Sequence, residues 1–167
     1  MVIELAVVDT PIDAVTLAAR DGRVCLLHFG ADDDALRATL RRWYPAESIE
    51  HAVDPAGAAS ALASYFAGDV TAVDTVAVEM NGTPFQKGVW NALRRIPAGA
   101  TASYAEIAAL VGSPTAVRAV GAANGANPIA VVVPCHRVIG SNGTLTGYGG
   151  GLPRKEWLLR HEGRRLF

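Results

Sequence analysis

Cys135 stands directly before His136 and Arg137, at the end of the apolar run Ile129-Ala130-Val131-Val132-Val133-Pro134. A thiolate is a strong nucleophile, and a neighbouring imidazole raises the thiolate fraction. In an extended strand adjacent side chains point to opposite faces, so Cys135 and His136 can cooperate only if the backbone turns. Pro134 suits the first position of such a turn. The run is expected to be a buried, strand-like segment that ends in a tight turn and presents a thiol. The competing reading is that Cys135 is a small core residue, since free cysteine is among the most buried residue types. Glu162, near the end of the chain, is the one acid within reach of being recruited to a Cys–His pair. Cys25, His28 and His51 form a second group of potential ligands, but a closed zinc site needs four ligands at defined spacing. Cys25-Leu26-Leu27-His28 sits inside an apolar strand pattern and is expected to pack in a core, with no metal.

Several elements must position these groups. Thr83-Pro84 reads as a helix N-cap with proline at the first helical position. The helix 84–96 carries Phe85, Val89, Trp90 and Leu93 on one face. Ser103-Tyr104-Ala105-Glu106 is a capping box, followed by a helix 104–111. Gly112-Ser113-Pro114 makes a turn, and a second helix is expected over 115–125. That helix is poor in the long polar side chains that read base edges. Ala116, Ala119, Gly121, Ala122, Ala123 and Gly125 are small, and Arg118 is its single cation. Such a helix can press on a minor groove and probe it with one cation, or it can pack tightly inside the domain. Asn127-Pro128 is a turn whose side chain can tie down neighbouring backbone groups. Tyr148 lies in a glycine-rich loop able to wrap a flat ligand. Residues 152–162 read as an amphipathic helix.

Before these, runs 3–8, 14–19 and 24–29 are rich in β-branched and apolar residues. Asp21-Gly22 between the last two is a hairpin signal. Residues 31–44 read as a helix with Asp32, Asp33 and Asp34 at its start and Arg41 and Arg42 at its end, matching the helix dipole. A second helical run covers 55–67, and 70–78 reads as a strand or an extended linker. The fold class is therefore α+β. A small N-terminal α/β unit with an antiparallel sheet (1–79) precedes a mainly helical domain with a helix–turn–helix (80–167).

Hydrophobic content of 50% and charged content of 19% fit a globular protein. No apolar run reaches membrane-spanning length, and the start lacks a signal peptide's basic region. Two cysteines are too few for a disulfide framework, so a cytoplasmic setting is expected. The net charge of −1 conceals an asymmetry: 5 Lys+Arg against 13 Asp+Glu in residues 1–79, and 10 against 3 in residues 80–167. The net +7 of the second part suits a polyanionic partner. The halves could also attract one another.

The pattern Ser-Tyr, Arg-Ala-Val-Gly, Asn-Pro, Pro-Cys-His-Arg-Val, Gly-Tyr and Lys-Glu-Trp-Leu-Leu-Arg-His-Glu-Gly resembles the catalytic domain of the O6-alkylguanine-DNA alkyltransferases, direct-reversal DNA repair proteins. The resemblance runs through most of residues 83–167. It implies that Cys135 accepts the alkyl group, with His136 as base through a water and Glu162 orienting it. Asn127 would support the turn carrying the cysteine. Tyr104 would donate to the guanine ring, and Arg118 would fill the gap left by a flipped nucleotide. Ala116, Ala119, Gly121, Ala123 and Gly125 would face DNA. Val138, Tyr148 and Gly149 would line the base pocket with Tyr104; some relatives have Ser where Gly149 stands. The family reaction implies double-stranded DNA carrying O6-alkylguanine as substrate, O4-alkylthymine as a second substrate, flipping through the minor groove, no cofactor, and a monomer that reacts once. Three other classes compete: a non-catalytic lesion binder, which would lack the cysteine; a helix–turn–helix regulator, which the small second helix with its single cation disfavours; and a cysteine hydrolase, for which no oxyanion-hole pattern is visible.

Overall fold

A computed structural model describes residues 1–148 and 151–163 of the 167. Gly149, expected in the base pocket, lies outside the described residues, as do residues 164–167. The chain divides into two compact units, Met1–Asn81 and Gly82–Phe167.

In the first unit, β1 (Val2–Thr10), β2 (Asp13–Arg20) and β3 (Arg23–Phe29) form an antiparallel meander. Asp21 and Gly22 both have left-handed φ, 53° and 73°, as the tight turn joining β2 to β3 requires. The three aspartates that open the next helix divide their work. Asp32 pairs with Arg37 through two hydrogen bonds, Asp33 accepts from Leu36 N as N-cap, and Asp34 begins α1 (Asp34–Trp43). The helix thus starts three residues later than the expected 31, because capping takes Asp33 out of helical geometry. A fourth strand, β4 (Ser48–His51), runs parallel to β1 and completes the order β3-β2-β1-β4.

The helical run expected over 55–67 is interrupted. Pro55–Gly57 forms a 3₁₀ turn with left-handed Ala56 and Gly57, and only then does α2 (Ala58–Phe66) begin. Residues 70–75 are turns, and of the following stretch only Val78 bridges, to Val24. Ile3, Leu5, Ala18, Cys25, Leu26, Leu36 and Leu40 make the core. Cys25 is fully buried there, burial pushes its thiol up to about 12, and His28 is exposed.

The second unit opens with α3 (Pro84–Leu93), capped by Thr83 in a reciprocal box with Gln86. It ends three residues short of Ile96, with Arg95 and Ile96 bonded back in a tighter turn. Next come β5 (Ala102–Ser103), α4 (Tyr104–Leu110), α5 (Val117–Gly125), β6 (Val138–Ile139) and α6 (Leu152–His161). The Ser103–Glu106 capping box starts α4. α5 begins at Val117, two residues later than expected: Ser113 and Pro114 belong to the turn, and Ala116 is the cap. Trp90 is buried and donates Nε1 to Ala123 O at 2.8 Å, locking α3 against α5. Among the described residues no helix is long and apolar enough to cross a membrane.

Candidate active site

The apolar run before Cys135 is not a strand. Residues 130–132 are turns, with Val132 N bonded to Ala130 O and Val133 N to Ile129 O. Val131 takes φ 69°, a conformation unfavourable for a β-branched residue. Asn127 makes this bend possible. Its Oδ1 accepts from Ile129 N at 3.0 Å, and its Nδ2 donates to Val133 O at 2.8 Å. A side-chain amide thereby replaces the ladder partners that a buried backbone needs. Asn124, buried on α5, donates to Cys135 O at 3.3 Å. Asn124 is the penultimate residue of α5, where an asparagine is unremarkable, so no local signal marks its role.

Cys135–Arg137 is a single 3₁₀ turn. His136 and Arg137 both reach Glu162. His136 Nε2 lies 2.8 Å from Glu162 Oε2. Arg137 donates Nε to Oε1 at 2.8 Å, Nη2 to Oε2 at 3.0 Å, and Nη1 to Ile96 O at 2.7 Å. All three side chains are buried. Burial pushes the Glu162 carboxyl up, but hydrogen bonds and charge from His136 and Arg137 outweigh it and hold the group at about 2. Burial lowers the His136 pKa, against the pull of Glu162. The imidazole is therefore neutral near pH 7. Because the carboxylate can only accept, the imidazole proton sits on Nε2. That leaves the Nδ1 lone pair as a base, and Nδ1 has no hydrogen-bond partner among the described residues.

Cys135 is 6% exposed, and burial raises its pKa, partly offset by Asn127 and by the charge of Lys155. The resting group is a thiol, which needs a base during reaction. Lys155 is fully buried. Its Nζ donates to Val138 O at 2.6 Å and to Thr146 O at 3.0 Å, and burial lowers its pKa to about 8.

Tyr104 is placed by two constraints. β5 pairs in parallel with β6, Ala102 opposite Val138 and Ser103 opposite Ile139, and the Ser103 cap then launches α4. Tyr104 lines a cavity of about 520 Å³ with Val117, Arg118, Gly121, Gly125, Thr146, Gly147 and Tyr148. Of the residues expected to face DNA, Ala119 and Gly125 are exposed, Ala116 and Gly121 are half-buried, and Arg118 is exposed at the cavity. Ala123 is corrected: it is 2% exposed, on the face of α5 packed toward Trp90, so it drops out of the contact surface. Val138 is fully buried in β6 and is not among the cavity's lining residues. The Tyr148 hydroxyl is buried, and burial with the adjacent Cys135 raises its pKa. Sequence reasoning gave no role to Arg137, Lys155, Asn124 or Thr146. Their contacts reach up to 42 residues along the chain.

The two units and the buried thiol, with a histidine–carboxylate pair beside it in sequence and a cavity lined by Tyr104 and Tyr148, define a class of cysteine-bearing α+β protein. Residues 84–164 match the family described as 6-O-methylguanine DNA methyltransferase, DNA binding domain. The methylated-DNA–protein-cysteine methyltransferase of Mycolicibacterium paratuberculosis is 49% identical over 162 residues, 97% of this chain and 93% of that protein. That of Salmonella typhimurium is 57% identical over 135 residues, 80% of this chain and 79% of the relative. The crystal structure of Mycobacterium tuberculosis O6-methylguanine methyltransferase superposes with a TM-score of 0.79 at 41% identity, covering 98% and 94% of the two chains. The structure of Mycobacterium tuberculosis OGT in complex with DNA gives 0.77 at 41%, covering 95% and 92%. The chain belongs to the methylated-DNA–protein-cysteine methyltransferase family.

Proposed function

We propose that this protein repairs DNA by direct reversal, taking the alkyl group of O6-alkylguanine, and of O4-alkylthymine, onto Cys135 in a single irreversible turnover. The observation that carries the reading is the His136–Glu162 pair: it leaves a neutral imidazole with its free lone pair on Nδ1, one residue from a thiol. His136 takes the thiol proton through a water, with Glu162 and Arg137 fixing the ring. The thiolate attacks the alkyl carbon in line, the C–O6 bond breaks, and the electron pair goes to guanine. Tyr104 protonates the purine ring as it leaves, sparing it a full negative charge. The product is a thioether, which the protein does not reverse, so each molecule reacts once.

We assign DNA binding and transfer to the second unit, acting as a monomer in the cytoplasm. The small residues Ala116, Ala119, Gly121 and Gly125 let α5 approach the minor groove. Arg118 takes the place of the flipped nucleotide, whose extrusion costs a few kcal/mol. Incubation with duplex DNA carrying O6-methylguanine tests the reading. Stoichiometric methylation of the protein supports it; tight binding without transfer points to a lesion binder, and the absence of both rules out a repair role.

Two further results are expected. DNA affinity falls steeply with salt and depends little on sequence, with log K against log salt changing by roughly −0.9 per phosphate contact. Arg137 and Lys155 are buried, so the surface charge that binds phosphate is smaller than the net +7 of residues 80–167. A flat salt response contradicts the assignment. Arg118→Ala slows repair of duplex DNA far more than reaction with the free base O6-benzylguanine, which needs no flipping. Equal losses on both substrates, with a lower Tm, would make Arg118 structural.

A further inference from the structure

We propose that Thr146 is the positioning residue for Tyr104, its hydroxyl donating into the phenol oxygen while Tyr104 gives its own proton to the departing base. The proposal rests on the reading of Tyr104 as proton donor given above. Tyr104 Oη and Thr146 Oγ1 lie 2.8 Å apart, and both side chains line the same cavity. Neither hydroxyl reaches this place by accident of a mobile surface. Tyr104 is the first residue of α4, fixed by the Ser103 cap and the β5–β6 pairing. Thr146 lies on the loop after β6, and its carbonyl is held by Lys155 Nζ at 3.0 Å. The same ammonium holds Val138 O at 2.6 Å. One buried cation therefore clamps the wall loop to the strand that leaves the Cys135 turn.

The direction of the Thr146–Tyr104 hydrogen bond decides what it does. If Tyr104 donates, its only proton is committed to Thr146 and is withheld from the substrate. If Thr146 donates, the tyrosine proton is free to point into the cavity. During transfer the Sγ–C bond forms, the C–O6 bond breaks, and the electron pair moves onto the purine. A ring nitrogen takes the Tyr104 proton, and the resulting phenolate keeps the hydrogen bond from Thr146 until water reprotonates it. Hydrogen bonding to a charged form favours that form, so Thr146 lowers the barrier to proton donation as well as orienting the donor.

The test is the single-turnover rate on duplex DNA carrying O6-methylguanine, with DNA affinity and Tm measured separately. Thr146→Val is nearly isosteric and removes the hydroxyl; the rate should fall about five- to tenfold with DNA affinity unchanged. Thr146→Ser should regain most of that loss. Should the valine disturb the loop and lower Tm, Thr146→Ala should give the same rate loss without adding a methyl group. In a Tyr104→Phe background Thr146→Val should have no further effect, because the group it serves is gone. A wild-type rate for Thr146→Val, equal losses for serine and valine, or a further loss on top of Tyr104→Phe each overturns the proposal. A wild-type rate for Tyr104→Phe alone instead overturns the reading of Tyr104 and takes the proposal with it. A slow Tyr104→Phe with a normal Thr146→Val sinks the Thr146 role alone.

Discussion

Replacing Cys135 by alanine or serine is expected to bring alkyl transfer from DNA below detection while leaving DNA affinity largely intact. The acceptor sulfur is the group consumed in the reaction, so no residual pathway through the same site remains. Cys25 offers none, because its thiol is fully buried in the other unit's core with its pKa pushed up to about 12. The surface given to DNA contact is made of α5 and Arg118, which the substitution does not touch. Truncation at Cys135 removes one small buried group, with a stability loss on the order of 1 kcal/mol. The pair of measurements is a transfer assay and an equilibrium DNA titration on the same variant. Transfer that persists in Cys135→Ala contradicts the assignment, and loss of folding together with binding would place Cys135 in the core alone.

Glu162→Gln is expected to lose both rate and stability. The carboxylate fixes the His136 tautomer and neutralises Arg137, and both partners are buried. A glutamine presents its amide in place of one acceptor and leaves a buried guanidinium uncompensated. Breaking a buried pair this way costs about 3–5 kcal/mol, which for a domain this size lowers Tm by roughly 10 °C or more. The pH dependence has a definite sign. The group is held at about 2 against an ordinary 4.5, so its stabilisation is fully present above pH 4.5 and is lost as pH falls toward 2. The linkage amounts to roughly 3 kcal/mol. The stability gap between wild type and Glu162→Gln should therefore narrow steadily over that interval in urea titrations. A gap of constant size would mean that Glu162 acts by shape and not by charge.

Much of this site is legible in the amino-acid sequence. The capping boxes at Thr83 and Ser103, the Asp-Gly turn, the Cys-His-Arg triplet and the acid at Glu162 are local signals, read over four or five residues. What escapes is set by partners far along the chain. Five apolar residues before Pro134 look like a strand, but the Asn127 amide supplies the hydrogen bonds that let them coil tightly, with Val131 in a left-handed conformation. β4 carries one apolar side chain, Ile49, in four residues at a sheet edge, too little periodicity to see. Arg137 and Lys155 enter the sequence only as part of the charge of a basic half; their burial depends on distant partners, Glu162 in one case and two backbone carbonyls in the other. Ala123 looks like its small neighbours on α5, and only the Trp90 contact tells its face apart.

The most direct measurement is peptide mass spectrometry of the protein after one turnover with duplex DNA carrying O6-methylguanine. The account predicts one added methyl group, stoichiometric with lesions repaired, on the peptide containing Cys135, and an unmodified peptide containing Cys25. A methyl group on Cys25, or loss of the lesion with neither cysteine modified, would contradict it.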